Sequence, residues 1–221
     1  MGFSLTAPPK EYELGDYGPS GRGPEDDGFG GGDGGNPGGL PTPADLSMIG
    51  VWVGIGAIVM FFAAVTGVWL VLKSSTNHWT ATAVPSIVYL NSVLLLASSL
   101  TLEFSRGALT AGSTRRFRLW LYITLTLGVL FIAGQLFAWR DLAARGIYLA
   151  TDPSSSFFFL LTALHGLHLL GGIVALTAVT FQADKIARGL RKRTFLDATA
   201  LYWHFMYALW IYILLLLVVK V

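Results

Sequence analysis

The sequence has no cysteine and few charged residues. Without cysteine, the chain forms no disulfide, thiolate metal site, iron–sulfur cluster or cysteine nucleophile. Charged residues make up 13% of its 221 residues, whereas about a quarter is typical of soluble domains. Because 53% of the residues are hydrophobic and the mean hydropathy is +0.60, the composition indicates a membrane protein.

Acidic residues are scarce outside the N-terminal region. Eight of the 13 acids lie in residues 1–45, so the remainder holds five acids against 13 bases. This scarcity disfavours proton pumping by this chain alone, because relays inside a membrane use ionisable side chains. The residues form neither a Ser/His/Asp triad nor paired catalytic carboxylates, and they indicate no nucleic-acid surface.

Residues 1–45 have the composition of a disordered tail. They contain 13 of the 26 glycines and seven of the nine prolines, so they cannot bury enough apolar surface to fold. The glycine-rich stretch 28–39 lacks the Gly-Lys-Ser/Thr ending of a phosphate-binding loop. We see no secretory signal peptide, and the first apolar run, from Met48, is long enough to be a retained span. We predict an acidic tail over 1–45 and one membrane domain over 46–221.

Five apolar runs follow this tail. Each reaches the roughly 20 residues that cross a bilayer core. Backbone groups in lipid must hydrogen-bond internally, so all five runs are predicted to be helices. We expect Pro85 in the first turns of the second helix, where its missing N–H is tolerated. The predicted fold is all-α, with membrane spans at 48–72, 81–104, 119–139, 155–181 and 198–219.

Lysines and arginines near the span ends predict an orientation. The loops after the second and fourth spans carry nine of these bases, and the opposite face carries four. Positive residues concentrate on the cytoplasmic side of membrane proteins. We therefore expect a cytoplasmic N-terminus and an external C-terminus.

Three of the four histidines lie inside predicted spans. His165 and His168 share one face of the fourth helix, and one interpretation is ligation of a metal or haem together with His204 of the fifth. At 1.5 Å per residue, His168 lies about 20 Å and His204 about 9 Å from the cytoplasmic face, and this offset argues against a shared haem. The alternative is hydrogen bonding to neighbouring helices, to lipid or to a neighbouring subunit.

Tyr202, Trp203 and His204 lie where the fifth helix enters the membrane. Aromatic and amphipathic side chains favour that interface, so one interpretation is an aromatic belt. The other is a headgroup pocket in which His204 and nearby bases face a lipid phosphate. Asp197 opens the same helix and interacts favourably with its N-terminal dipole.

Polar side chains in the other spans predict bonds between helices. Asn91 in the second helix and Gln135 in the third are expected to hydrogen-bond to neighbouring helices. Glu103 lies three residues from Arg106, which favours an ion pair at the membrane interface. The expectation of interhelical bonding also covers Ser92, Ser98, Ser99 and Thr101.

Small residues indicate where helix backbones approach each other. Gly50 and Gly54 form a GxxxG pattern in the first span, and Gly166 lies near Gly171 and Gly172 in the fourth. Glycines at such spacings let two helices pack closely. We therefore predict helix contacts at both places.

A series of short motifs follows the spans. They are Met60–Ala64, Pro85 with Leu90–Ser99, Arg115–Arg116, Thr126–Gly128, Gln135, Ser156–Phe159, Thr162, His165–His168, Tyr202–Phe205 and Trp210. Their order, spacing and placement on successive spans resemble subunit III of the haem–copper oxidases, the cytochrome c oxidase and quinol oxidase family. The resemblance covers nearly the whole chain from about residue 48 onward.

This resemblance carries expectations about the fold. Members of the family often have seven helices, arranged as a pair and a bundle of five around a lipid-filled cleft. The chain resembles the five-helix bundle alone, a shorter form in which the missing pair is appended to subunit I. Asp197 matches a family carboxylate position, but other family acids are replaced by Ile58, Ala138 and Tyr207. Roles in lipid binding, proton collection or carbodiimide reactivity that belong to those acids do not transfer.

The resemblance also carries expectations about function. It implies a non-catalytic subunit III of a terminal oxidase in a bacterial-type cytoplasmic membrane, with cytochrome c oxidase favoured over quinol oxidase. The complex would reduce oxygen and move protons, with haem and copper in partner subunits and no cofactor in this chain. Expected partners are subunits I and II and phospholipids, and the residues facing lipid or a subunit would be His165, His168, Asp197, Tyr202, Trp203 and His204.

Other classes of protein stay open at this point. One is a subunit-III-like accessory protein of a nitric oxide reductase, which the long tail and the replaced acids leave open. The others are an independent membrane cytochrome and a small transporter. A haem spectrum or substrate uptake by the chain alone would identify these last two.

Overall fold

The structure is a computed structural model in which residues 43–75, 85–148, 152–189 and 193–218 are described. Within those ranges, five helices are long and apolar enough to cross a membrane. The predicted all-α fold with five membrane helices is confirmed, whereas residues 1–42 of the predicted tail, and His78, lie outside the described residues. The helices are α1 (Pro43–Ser75), α2 (Ser86–Thr110), α3 (Thr114–Ala144), α4 (Pro153–Phe181), α5 (Ala183–Ala187) and α6 (Thr194–Val218).

Several helices extend beyond the predicted spans. α2 continues from the predicted end at Phe104 to Thr110, and α3 begins at Thr114 instead of Leu119. α1 begins at Pro43, inside the predicted tail, and the single-turn helix α5 has no counterpart in the prediction. These differences arise because an apolar run marks only the part of a helix that suits lipid. Hydrogen bonding continues the helix into the polar residues beyond it.

Pro85 lies just outside α2, so its predicted position in the first turns is wrong. It is the residue before the helix, with an extended backbone at φ −62° and ψ 143°. Its carbonyl accepts a hydrogen bond from the Val88 N–H at 3.0 Å. Proline suits this place because it has no N–H to leave unbonded and its φ is already fixed.

α2 and α3 form an antiparallel hairpin that packs along its whole length. The turn between them passes through Gly112, whose φ of 72° lies in the left-handed region that glycine adopts without a steric penalty. α6 occupies the centre of the bundle and contacts α1, α2 and α4. The largest fully buried side chains are aromatic, and they include Phe62, Phe117, Phe131, Phe158, Trp203 and Trp210.

α1 is the least buried of the five spans. It packs on the bundle through Ile55, Phe62 and Trp69, which are spaced seven residues apart. Gly50 and Gly54 lie on the exposed side, where an added Cβ would meet no described atom within 4 Å. The GxxxG pattern therefore contacts none of the described helices of this chain, and a contact with a helix of another subunit stays a prediction.

Candidate functional site: polar contacts between the helices

Two tryptophans of α6 bond to serines of α2. The indole Nε1 of Trp203 donates to Ser98 Oγ at 3.0 Å, and that of Trp210 donates to Ser92 Oγ at 2.9 Å. A buried indole N–H needs such a partner, because an unbonded donor inside the bundle destabilises the fold. The predicted interhelical role of the α2 serines is confirmed at both positions.

The Trp203 ring lies in a notch formed by two glycines. A Cβ added at Gly128 of α3 would lie 2.8 Å from Trp203 Cη2, and one at Gly172 of α4 would lie 3.3 Å from its Cε3. Trp203 thus brings α6 against α3 and α4 together. The prediction of a close helix contact near Gly172 is confirmed. Gly166 differs, since a Cβ there would meet no described atom within 4 Å.

Tyr202 and His168 connect α6 to α4. The Tyr202 hydroxyl donates to the main-chain carbonyl of His168 at 2.9 Å. His168 Nδ1 donates within its own helix to the Leu164 carbonyl at 2.7 Å. The half-buried imidazole lies beside the Phe62 ring of α1, with 6.0 Å between ring centroids. His168 therefore lies where α1, α4 and α6 meet.

Both ring nitrogens of His204 bond to α2. Nε2 donates to the Glu103 carboxylate at 2.7 Å. Nδ1 forms a hydrogen bond with the Ser99 hydroxyl, which donates when the ring is neutral. The two bonds fix the orientation of the imidazole against α2.

Arg106 joins the same cluster to the first turn of α6. Its Nη1 donates to Glu103 at 2.8 Å, which confirms the predicted ion pair. Its Nε and Nη2 donate to one oxygen of Asp197 at 3.2 and 2.8 Å. The side chains of Glu103, Arg106 and Asp197 are 45%, 31% and 29% exposed, so each pair contributes only about 0–1 kcal/mol.

Asn91 and Gln135 meet between α2 and α3. The Asn91 amide nitrogen donates to the Gln135 carbonyl oxygen at 3.4 Å, and both side chains are buried. The approach is close because α3 has glycine at 134, where a Cβ would overlap the Asn91 oxygen. The structure thus brings together the two residues that were expected to bond between helices.

His165 lies in the core, about one helical turn from His168 on α4. It is fully buried, with Phe131 on one side at 5.8 Å and Trp210 on another at 5.1 Å between ring centroids. The candidate residues therefore divide among separate places instead of forming one site. Among the described residues, no group of three or more His, Asp or Glu side chains is arranged to hold a metal ion.

Sequence reasoning missed several hydroxyl contacts. Thr124 of α3 bonds to Thr101 of α2 at 2.9 Å, and the Trp139 indole of α3 donates to Thr162 of α4 at 3.1 Å. Thr101 was among the residues expected to bond between helices. Its partner was not, because a single threonine in an apolar run does not show which helix it faces.

These contacts define the class of protein to which the chain belongs. The chain is a multi-pass membrane protein whose polar side chains face inward and join the helices, while large apolar side chains cover much of the outer surface. The three residues that stand in place of the family acids differ in burial. Ala138 is fully buried, whereas Ile58 and Tyr207 are half-buried.

Comparison with known proteins identifies the family. Residues 79–220 match the family described as cytochrome c oxidase subunit III. The chain is 28% identical to cytochrome c oxidase subunit 3 of Synechocystis over 177 residues, which cover 78% of this chain and 75% of that protein. It is 31% identical to quinol oxidase subunit 3 of Bacillus subtilis over 176 residues, which cover 76% of this chain and 84% of that protein.

A third relative matches over a similar part of the chain. The probable cytochrome c oxidase subunit 3 of Nocardia farcinica is 28% identical over 175 residues, which cover 76% of this chain and 84% of that protein. The chain belongs to the cytochrome c oxidase subunit III family. It is thus a subunit III of the haem–copper oxidase type, and the resemblance found in the sequence is confirmed.

Proposed function

We propose that this chain is a non-catalytic subunit III of a terminal oxidase that takes electrons from cytochrome c. It supports oxygen reduction and proton uptake by subunit I, through packing and lipid binding, in aerobic respiration. One observation carries this proposal. Several polar side chains of the motifs are hydrogen-bonded to neighbouring helices inside the bundle, as in a rigid packing subunit. Tyr202, Trp203 and His204 illustrate it, since each bonds to a neighbouring helix.

The outer surface supports a role in packing. Large apolar side chains are exposed along α1, α2 and α3, including Val53, Met60, Val93, Phe104 and Phe137. In a membrane, such faces contact lipid or the helices of another subunit. We propose subunits I and II as the protein partners, with haem and copper held there and no cofactor in this chain.

A groove between α3 and α4 supports lipid binding. It is lined mostly by apolar side chains, including Leu136, Trp139 and Phe159, and by one cation, Arg140. Apolar walls suit an acyl chain, and a guanidinium suits a phosphate. The neighbouring Arg145 differs because it is paired with Asp141 at 2.8 Å. We propose that a phospholipid occupies this groove.

The orientation in this proposal follows from charge. The bases near the α2–α3 turn and the α4–α6 connection outnumber those at the opposite ends of the helices. Because positive residues stay on the cytoplasmic side, the N-terminus is cytoplasmic and the C-terminus external. The membrane is the cytoplasmic membrane of a bacterial-type cell.

The proposal is tested by purifying the full chain through a C-terminal tag in mild detergent. We expect a histidine-rich subunit I to co-purify, with haem absorbance and oxygen reduction in the eluate. A copper-binding subunit with cysteine ligands, together with oxidation of cytochrome c, would identify cytochrome c rather than quinol as the electron donor. Recovery of nitric oxide reductase subunits, or repeated recovery of the chain alone, would contradict the assignment.

The cofactor-free role has its own test in cells that lack this chain. The remaining oxidase should keep its haem and copper content per subunit I, because those groups lie in the partners. Re-expression of the chain serves as the control for secondary effects. Loss of one haem per complex, restored together with the chain, would show that the chain carries a redox group.

Lipid binding is tested by measuring the phospholipid that the purified protein retains. Arg140→Gln should lower the retained lipid, because it removes the cation of the groove. Arg145→Gln is the matched control, since its guanidinium already has a carboxylate partner. Equal retention by wild type and both variants would contradict lipid binding in this groove.

A further inference from the structure

One layer of the bundle places aromatic side chains of α3 and α6 beside His165 of α4. Its ring lies 5.8 Å from Phe131 of α3 and 5.1 Å from Trp210 of α6, measured between centroids. The Trp210 indole donates to Ser92 of α2 at 2.9 Å. His165 is fully buried, so its polar atoms have no access to lipid or bulk water.

Gln135 lies on the buried side of α3, where its carbonyl oxygen bonds to Asn91 of α2. It is one helical turn from Phe131, which contacts His165, and one turn from Trp139, whose indole donates to Thr162 at 3.1 Å. Thr162 in turn is three residues before His165 on α4. Gln135 is therefore level with the α4 turn that ends at His165.

The polar atoms of these two side chains are only partly bonded. The Gln135 carbonyl oxygen accepts from Asn91 at 3.4 Å. Its amide nitrogen is buried and has no hydrogen-bond partner among the described residues, and the same is true of both nitrogens of His165. Such atoms destabilise a fold unless something bonds them, and a buried water molecule is the usual partner.

The aromatic neighbours cannot satisfy His165 by themselves. A neutral imidazole has one N–H donor and one nitrogen that accepts. The face of Phe131 or Trp210 is able to accept the N–H, but no ring face donates to the accepting nitrogen. The Trp210 N–H is already directed to Ser92. Apart from the His165 nitrogens, the buried polar atoms without a partner among the described residues are two amide oxygens, of Asn91 and Gln182, which only accept, and the Gln135 amide nitrogen, which donates.

We propose that a single buried water molecule bridges Gln135 and His165. The water accepts a hydrogen bond from the Gln135 amide and donates one to the accepting nitrogen of His165. Polar groups that are too far apart for a direct bond are commonly joined in this way. The occupant is water, because the surrounding rings leave the site closed to lipid and no charged side chain of the layer would hold an ion. This inference is independent of the proposed function.

The test is radiolytic hydroxyl-radical labelling of the full chain, purified with the subunits that accompany it. Radicals formed from a bound water oxidise the side chains beside it, even where bulk solvent is excluded. We expect oxidation at Trp210, which adjoins His165. Trp203 is the matched control, because it is also buried on α6 and its indole already bonds to Ser98. Equal labelling of Trp210 and Trp203 would overturn the proposal.

Two variants test which residues hold the water. Gln135→Met and His165→Phe keep the approximate size of each side chain and remove its hydrogen bonds. Labelling of Trp210 should fall to the level of Trp203 in either variant. Undiminished labelling in both would show that this pair does not hold the water, and would overturn the proposal. If neither variant folds, the comparison of the two tryptophans in the wild-type chain decides the matter.

Discussion

The glycine notch around Trp203 yields a sharp prediction. Gly128→Ala places a Cβ 2.8 Å from Trp203 Cη2, roughly 1 Å short of a normal carbon–carbon contact. The indole cannot move away freely, because Gly172 confines its opposite edge and Ser98 holds its N–H. Overpacking of this kind costs about 1–3 kcal/mol. We therefore expect the Tm of the detergent-purified protein to fall by several degrees.

Gly166→Ala is the matched control. It is also a glycine inside a membrane helix, but an added Cβ meets no described atom within 4 Å. Alanine there should leave the Tm unchanged or raise it slightly, since it favours the helix over glycine by up to about 1 kcal/mol. A second check is the double variant with Trp203→Phe, whose smaller ring should recover part of the loss. If Gly128→Ala and Gly166→Ala unfold at the same temperature, the notch does not confine the indole.

Three further predictions concern the bonds between helices. Ser98→Ala leaves the buried Trp203 N–H without a partner, and should lower stability by about 1–3 kcal/mol in a thermal melt; an unchanged Tm would refute the bond. Arg106→Gln should lower the Tm more than Arg145→Gln does, and the difference should shrink in high salt because both ion pairs are partly exposed. Ser155→Ala removes the hydroxyl that accepts a hydrogen bond from the Asp152 N–H, just before α4, and should lower the free energy of unfolding by about 1 kcal/mol. Threonine at the same position should retain that stability, and a thermal melt of both variants checks the difference.

The membrane helices are the part of the fold that the sequence predicts best. Apolar runs of sufficient length have one physical solution in lipid, so all five were found. The ends were found less well, because nothing in an apolar run marks where helical hydrogen bonding stops in the polar residues beyond it. Thr110 and Thr114 show this, since both lie outside the predicted spans and inside helices.

Some side-chain contacts can be predicted from the sequence of one helix, and others depend on how the helices pack together. The Glu103–Arg106 pair lies within one helix, so its spacing was sufficient. The serines of α2 were also recognisable, because a polar group in an apolar helix needs a partner. Their partners, Trp203 and Trp210, follow only from the position of α6 in the bundle. In the same way, glycine spacing predicts a close contact without naming the partner helix: Gly172 meets α6, whereas Gly50 meets no described helix of this chain.

The narrow attachment of α1 makes it the span that responds most readily to bilayer thickness. Its membrane-crossing part has 28 residues, about 42 Å of helix, against a hydrocarbon core of about 30 Å. A helix of excess length tilts to keep its apolar residues in lipid. α1 contacts the bundle along one line of side chains and is joined to α6 by the hydrogen bond between Thr66 and Tyr212, whereas several such bonds tie α2, α3, α4 and α6 together. A thinner or thicker membrane would therefore change the tilt of α1 first. That change in tilt would then alter the contacts of α1 with the other helices.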